Sequence, residues 1–493
     1  MITSQSSLRV SLPFPRNINW PLHPNVEYSS VKSKPLRNIP SVHELLESPP
    51  LQNLVERANR NVVVNGVRTF LDNLRQEMQT SADLPIPNPT ELAERIVHWI
   101  QEDETPSLRP VVNATGILLH TGLGRAPLAT EALRAVQEVS RDYASLEVDL
   151  TTGQRSQRVA AVTKLLKQLT GAEASVVVNN NAGATLLTLA ALAQGKEVIV
   201  ARGELVEIGG SFRLPEVMEQ SGAVLREVGS TNKTRATDYR NAISERTAAL
   251  LKVHPSNYVV TGFTEEASLD DLITLGRQRH IPVVHDIGSG ALLDFAQFGV
   301  EGEPLATHSL RQGADVVLFS GDKLLGGPQC GIICGSRVYI DRIASHPLMR
   351  ALRVDKMTLA ALAATLRLYR DPQEAIQAVP LLRLLNTPVD NLRQRAEKLS
   401  IQFATLPTIA TAKPVDDVSF LGGGSLPNQQ LATVCVALVP VSGRVNQAAA
   451  ELRAADPAVF ARVHNEQILL DLRSVSPSED QKLMEAAHQL TAG

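Results

Sequence analysis

Cysteine is scarce. Three thiols in 493 residues, Cys330, Cys334 and Cys435, cannot make a disulfide framework, which fits a reducing compartment. Cys330 and Cys334 fall in "CGIIC", and no nearby Cys or His supplies the two further ligands that zinc would need, so the thiols read as core packing. Long apolar runs are missing too: the longest candidate, "AGATLLTLAALA", is shorter than the ~18 residues of a membrane span, which excludes a membrane protein. No compact apolar stretch followed by a small-residue cleavage site opens the chain, so no secretory signal is expected. A strong charge of either sign is also absent. The net charge of -3 gives no global attraction to nucleic acid, and any RNA contact has to be local.

What is present is an ordinary globular composition, 43% hydrophobic and 20% charged, in a chain long enough for two or three domains. Residues 1–38 are basic and rich in Pro and Ser; Arg9, Arg16, Lys32, Lys34 and Arg37 face one acid, Glu27, and the segment reads as a disordered extension that could also clamp phosphates. Residues 39–108 read as a helical domain and linker. Ser41 and Glu44 are spaced as a capping box, and Leu92, Ile96, Val97 and Ile100 share a helix face. From 109 to 375 short β-branched runs ("ASVVV", "EVIVA", "AALLKV", "IPVVHD", "ADVVLF") alternate with helices, which predicts an α/β domain around a parallel-rich sheet covered on both faces. From 376 to 493 the pattern is that of a smaller α+β domain, whose "LGGGS" reads as a turn between strands rather than a nucleotide loop.

Ligands of open α/β sheets collect at the carboxyl ends of the strands. After "ASVVV" comes "NNNAGATLL", where Asn181, Ala182 and Gly183 open an apolar helix; such a terminus suits a phosphate, although asparagine is also simply a good cap. "IPVVHDIGSG" ends a strand at Asp286, either a structural cap or the partner of a protonated pyridine nitrogen. His285, on the opposite face, reads as packing. "FSGDKLLGGPQCGIICG" sets Lys323 between an apolar strand and a glycine turn, as a surface cation or as a buried Schiff-base amine. Taken together, Asp286 on the ring, Lys323 on the aldehyde, and Ser320 with the Asn181–Gly183 turn on the phosphate suit pyridoxal 5'-phosphate. Arg125 lies in a glycine turn. Arg350 and Arg353 follow Pro347, three apart, and on one helix they would face one way; their alternative is surface ion pairing.

"VVNATGILLHTGLGRAPL", "RGELVEIGGSFRLPEVM", "FSGDKLLGGPQCGIICG" and "HPLMRALRVDKMTLAAL" closely resemble bacterial selenocysteine synthases, the L-seryl-tRNA(Sec) selenium transferases, from about residue 36 to the C-terminus. The basic tail before residue 36 is not part of the shared pattern. The resemblance implies a cytoplasmic fold-type-I (aspartate aminotransferase-like) pyridoxal phosphate enzyme, built of dimers in a decameric ring. It implies that the helical domain binds selenocysteine tRNA charged with serine, and that seryl-tRNA(Sec) becomes selenocysteinyl-tRNA(Sec) with selenophosphate, through an aldimine and a dehydroalanyl intermediate. It also implies that Lys323 is the cofactor lysine, with Asp322 the acid beside it, and that Arg125, Arg350 and Arg353 hold the selenium donor. Two other readings stay open: a related lyase for a small amino acid or sugar acid, and a non-catalytic tRNA-binding homologue.

Overall fold

The computed structural model describes residues 39–80, 88–104, 106, 108–208, 212–422 and 425–491; the basic extension expected over 1–38 lies outside the described residues. Two compact units divide the chain at Arg109 and Pro110.

The first unit is helical. The capping box forms as the spacing predicts: Ser41 accepts from Glu44 N–H and Glu44 reaches back to Ser41. The pattern then breaks into helices Val42–Leu46, Pro49–Arg57 and Arg60–Thr80 rather than one long helix. Pro49 starts a new helix, and the Asn59 side chain accepts from Asn61 N–H at 2.9 Å where the next begins. Helix Pro89–Glu104 buries Leu92, Ile96 and Ile100 against Val63, Val67 and Leu71. Phe70 and Trp99 close this core edge to face, 5.9 Å apart.

The second unit is built on two sheets. The larger runs in the order Ala174–Val178, Gly331–Gly335, Val316–Ser320, Val283–Gly288, Thr247–Val253, Glu197–Ala201 and Val224–Val228. All neighbours are parallel except Gly331–Gly335, which is antiparallel to both of its own. Alternate side chains feed two cores: Val177, Leu250, Val283 and Val317 on one face, Val176, Leu251, Val284 and Val316 on the other.

The smaller sheet runs Val111–Ala114, Ala458–His464, Gln467–Asp471, Ser425–Pro440, Ile409–Gly422 and Ile117–Leu119. The strands just past the boundary expected at 109 therefore pair with the C-terminal strands rather than with the large sheet. Gly116, at φ 75°, permits this: a Cβ there would stand 2.1 Å from Asp471 Oδ2. Of "LGGGS", Gly422 stands opposite Ser425 at the ends of two long antiparallel strands, and the two residues between them, on which the turn reading falls, lie outside the described residues. The three cysteines are free and buried, and burial pushes the Cys334 thiol up to about 12. Among the described residues no helix is long and apolar enough to cross a membrane.

Candidate active site

Strands Val316–Ser320, Val283–Gly288 and Thr247–Val253 are adjacent and parallel, so Lys323, Asp286 and His254 leave the sheet at one edge. Main-chain bonds fix their levels. His254 N–H donates to the Asp286 carbonyl at 2.9 Å, and Leu324 N–H to the Ser289 carbonyl at 3.0 Å. The strand stops at Gly321, where a Cβ would meet Cys330 Sγ at 2.4 Å and the Pro328 carbonyl oxygen at 2.7 Å. The loop then folds back on itself, with Gly321 N–H on the Cys330 carbonyl and Gly326 N–H on the Lys323 carbonyl, each at 2.9 Å.

This loop carries Lys323 inward, 4% exposed. Burial pushes its amine below the usual lysine range, and the Arg125 charge adds to the effect; Asp322, Asp286 and Glu303 oppose it. A lysine so placed is favoured as the neutral nucleophile, the opposite of a surface cation.

Asp286 is 6% exposed and held by three donors. Its Oδ1 accepts from Asn181 Nδ2 at 2.9 Å and from Gly288 N–H at 3.1 Å; its Oδ2 accepts from Thr185 Oγ1 at 2.9 Å. Burial raises its carboxyl above the usual range while these donors pull it back. Oδ2 keeps acceptor capacity for one more donor, such as a protonated ring nitrogen. Asn181 and Thr185 lie four apart on helix Asn181–Ala193, hence on one face.

The phosphate turn differs from expectation. Gly183 N–H donates to the Asn180 side chain at 2.8 Å, because Asn180 is the helix cap, so it is not free for an anion. The Asn181 side chain serves Asp286 instead, with its Oδ1 buried and unpartnered. Main-chain N–H groups of Asn181 and Ala182 remain as first-turn donors. Ser320, buried at its strand end, stands opposite Gly331, which in turn stands opposite Val178 at the start of the same turn.

Arg125 sits in a left-handed backbone position, φ 62°, after the turn Thr121–Leu123, and its Nη1 donates to Asp322 Oδ2 at 2.8 Å. Arg350 and Arg353 do not share a helix. The helix is only Leu348–Ala351; Leu352 ends it by accepting Asn179 N–H at 2.9 Å, and Arg353 bridges to Val178 in extended form. Both arginine side chains are exposed, and the segment is tied to the strand end that bears the phosphate turn.

Three residues of this site escaped the sequence reading. Thr185 was legible as a polar residue four after Asn181 in an apolar helix. His254 follows "AALLKV" directly, at a strand end. Glu303, in the loop "VEGEPLA", carried no signal. Burial drives the His254 imidazole down to about 4, so it is neutral near neutrality, with Glu266 opposing and Lys252 and Lys323 assisting. His285 is buried on the far side, Nδ1 3.0 Å from Ser309 Oγ, as packing requires.

Pyridoxal phosphate fits these residues: a dry amine for the aldehyde, a carboxylate with spare capacity for the ring nitrogen, an orphaned Asn181 oxygen, and open N–H groups at a helix start.

A family profile described as L-seryl-tRNA selenium transferase matches residues 111–476, and one described as selenocysteine synthase N terminal matches residues 36–75. The chain is 48% identical over 459 residues to the L-seryl-tRNA(Sec) selenium transferase of Moorella thermoacetica, covering 93% of this chain and 97% of that one. It is 46% identical to the transferase of the same name from Carboxydothermus hydrogenoformans, covering 90% and 96%. Among solved structures, D-glucosaminate-6-phosphate ammonia-lyase is similar at 20% identity with a TM-score of 0.55, covering 78% of this chain and 98% of that chain, a likeness of fold alone.

Proposed function

The chain belongs to the L-seryl-tRNA selenium transferase family, and on that premise we infer how its residues divide the work of turning L-seryl-tRNA(Sec) into L-selenocysteinyl-tRNA(Sec). It is a fold-type-I enzyme with pyridoxal 5'-phosphate as its cofactor. When bound, that cofactor supplies an electron sink which acidifies the proton on the seryl α-carbon.

Lys323 anchors the cofactor and, as a neutral amine, takes the α-proton. Asp286 holds a proton against the ring nitrogen through Oδ2, while Asn181 and Thr185 keep its carboxylate in register. Asp322 steadies Arg125 beside the lysine. Arg125, Arg350 and Arg353 bind the phosphate oxygens of selenophosphate, the selenium donor, so that selenium adds to the β-carbon once the hydroxyl has left as water, and Lys323 would return a proton to the α-carbon. The helical unit, with its own core, receives the tRNA. The working form is a homo-oligomer of dimers, a decameric ring, in the cytoplasm with its tRNA.

The observation that carries this assignment is the burial of Lys323 in a loop inside the matched family region, its amine held toward neutrality. Borohydride reduction of the holoenzyme should fix cofactor to Lys323, and serine-charged tRNA(Sec) with selenophosphate should yield selenocysteinyl-tRNA. Labelling at another lysine, or turnover that does not need selenophosphate, would overturn the assignment.

A further inference from the structure

Arg353 stands on a stretch of chain that is held on both sides by different parts of the fold. On one side the Leu352 carbonyl accepts Asn179 N–H at 2.9 Å, beside the bridge from Arg353 to Val178. On the other side the carbonyl of Val354, a buried residue, accepts Arg158 Nη1 at 3.1 Å. Arg158 has no part in the roles above. Its side chain is 20% exposed, and its Nε and Nη2 both donate to Glu147 Oε1, at 3.0 and 2.8 Å. Glu147 is braced in turn by its own loop: Ser156 N–H donates to its carbonyl at 2.9 Å, Val148 bridges to Arg155, and Asp149 closes the tip by accepting Thr151 N–H and Thr152 N–H. Arg155 also reaches Glu147 Oε2, at 3.0 Å, but it is 82% exposed and adds little.

We propose that Arg158, oriented by Glu147, is a positioning residue for the selenium donor: it holds the Val354 carbonyl so that the exposed side chain of Arg353 leaves the chain in a fixed direction. The guanidinium is planar, and with Nε and Nη2 seated on one carboxylate its Nη1 has one direction left to donate in. Its positive charge is balanced by Glu147, so it serves Arg353 rather than the anion. Arg353 needs such a hold because it is extended and has no helix of its own. Arg350 does not, since the helix Leu348–Ala351 sets its direction. A second strap lies just beyond the first, where Lys356 Nζ donates to the Asp142 carbonyl at 3.0 Å.

This inference rests on Arg353 being a ligand of the donor, and its test separates the two. The holoenzyme is supplied with serine-charged tRNA(Sec), and selenophosphate is varied. Arg158→Met keeps an unbranched stem and removes all three bonds to Glu147 and Val354. The KM for selenophosphate should rise by up to about tenfold, the effect of losing Arg353 itself. In an Arg353→Ala background the same change should add less than about twofold, because the residue it orients is gone; in an Arg350→Ala background it should act in full, as independent sites do. Glu147→Gln keeps an acceptor oxygen but loses the charge that seats the guanidinium, and it should show the same pattern at a smaller size.

An equal rise in the native, Arg353→Ala and Arg350→Ala backgrounds would overturn the proposal, as would a KM that stays at the native value. A rise that vanishes in both alanine backgrounds does so too, since it would mark a general loss of the segment rather than a hold on Arg353. Should Arg158→Met fail to fold, Glu147→Gln is read by the same criteria. If Arg353→Ala by itself leaves the KM unchanged, the donor reading of Arg353 fails instead.

Discussion

Two buried aspartates in the second unit look alike by exposure and differ in what they have left to give. Asp471, in the smaller sheet, is 0% exposed and saturated: Oδ1 takes the Thr433 hydroxyl at 2.7 Å and Arg473 N–H at 3.1 Å, Oδ2 meets Arg462 at 3.2 Å, and the Ser419 hydroxyl is shared by Oδ1 at 3.0 Å and Oδ2 at 2.9 Å. Asp286, near the carboxyl end of the central strand of the large sheet, is fixed by three donors but keeps a lone pair on Oδ2. Burial with full acceptance makes a structural joint, here one that ties strand Gln467–Asp471 to strands Ser425–Pro440, Ile409–Gly422 and Ala458–His464. Burial with capacity to spare makes a binding group.

One substitution, made twice, separates the two roles. In Asp286→Asn the amide oxygen can keep Asn181 and Gly288, and its nitrogen can donate to Thr185, whose hydroxyl turns to the Asn181 carbonyl 3.1 Å away. The fold should survive with a stability change of about 1 kcal/mol or less. Turnover should drop by on the order of 10³, since an amide cannot hold the ring proton. A variant that unfolds, or one that keeps full activity, breaks the comparison from the Asp286 side.

Asp471→Asn should do the reverse. Whichever way the amide turns, its nitrogen faces a donor from Arg462 or from Arg473 N–H, and the guanidinium of Arg462 retains only Asp417, at 2.8 Å, as an anionic partner. A loss of roughly 3 kcal/mol is expected in denaturant unfolding. Turnover per folded molecule should be unchanged. A stability like that of the native protein would show that the saturated site is not the joint it resembles.

A smaller effect belongs to the exposed arginines. Replacing Arg350 or Arg353 by Ala should raise the KM for selenophosphate about tenfold, as loss of a charged hydrogen bond to an anion does, with cofactor binding intact. If cofactor absorbance falls instead, these side chains serve the cofactor phosphate rather than the donor.

The sequence made the large sheet legible because its strands are continuous apolar runs, and it made Lys323 and Asp286 legible because each ends such a run. What it hid depends on partners far along the chain. Strands Val111–Ala114 and Ile117–Leu119 join the C-terminal sheet through contacts such as Ser474 Oγ to the Asn113 carbonyl, 361 residues apart. "GIICG" is an antiparallel strand only because Val316–Ser320 and Ala174–Val178 leave a slot between them. Arg350 and Arg353 part company because the Leu352 carbonyl is claimed by Asn179. Glu303 lies in a polar, proline-bearing stretch that reads as surface, yet its side chain is among the most buried carboxyls of the site.

The comparison extends to histidine, with the smallest expected effect. His285 is 5% exposed, contacts Ser309, and is pushed down from 6.5 to about 3, mainly by burial and further by the charges of Lys252 and His254. Because the folded state holds this imidazole neutral, the unfolded chain binds the extra proton between those two values. Stability from this group is therefore whole above pH 6.5 and is lost as the pH falls toward about 3, at no more than about 1.4 kcal/mol per pH unit. His254, pushed down to about 4, acts in the same direction over much of the same window, so the native slope contains both. His285→Asn should remove its own share and leave the His254 share in place. Unfolding measured across that window should show a shallower dependence for the variant, whatever its absolute stability. An unchanged slope would mean that His285 already takes its proton in the folded protein, and that its contact with Ser309 survives as a charged one.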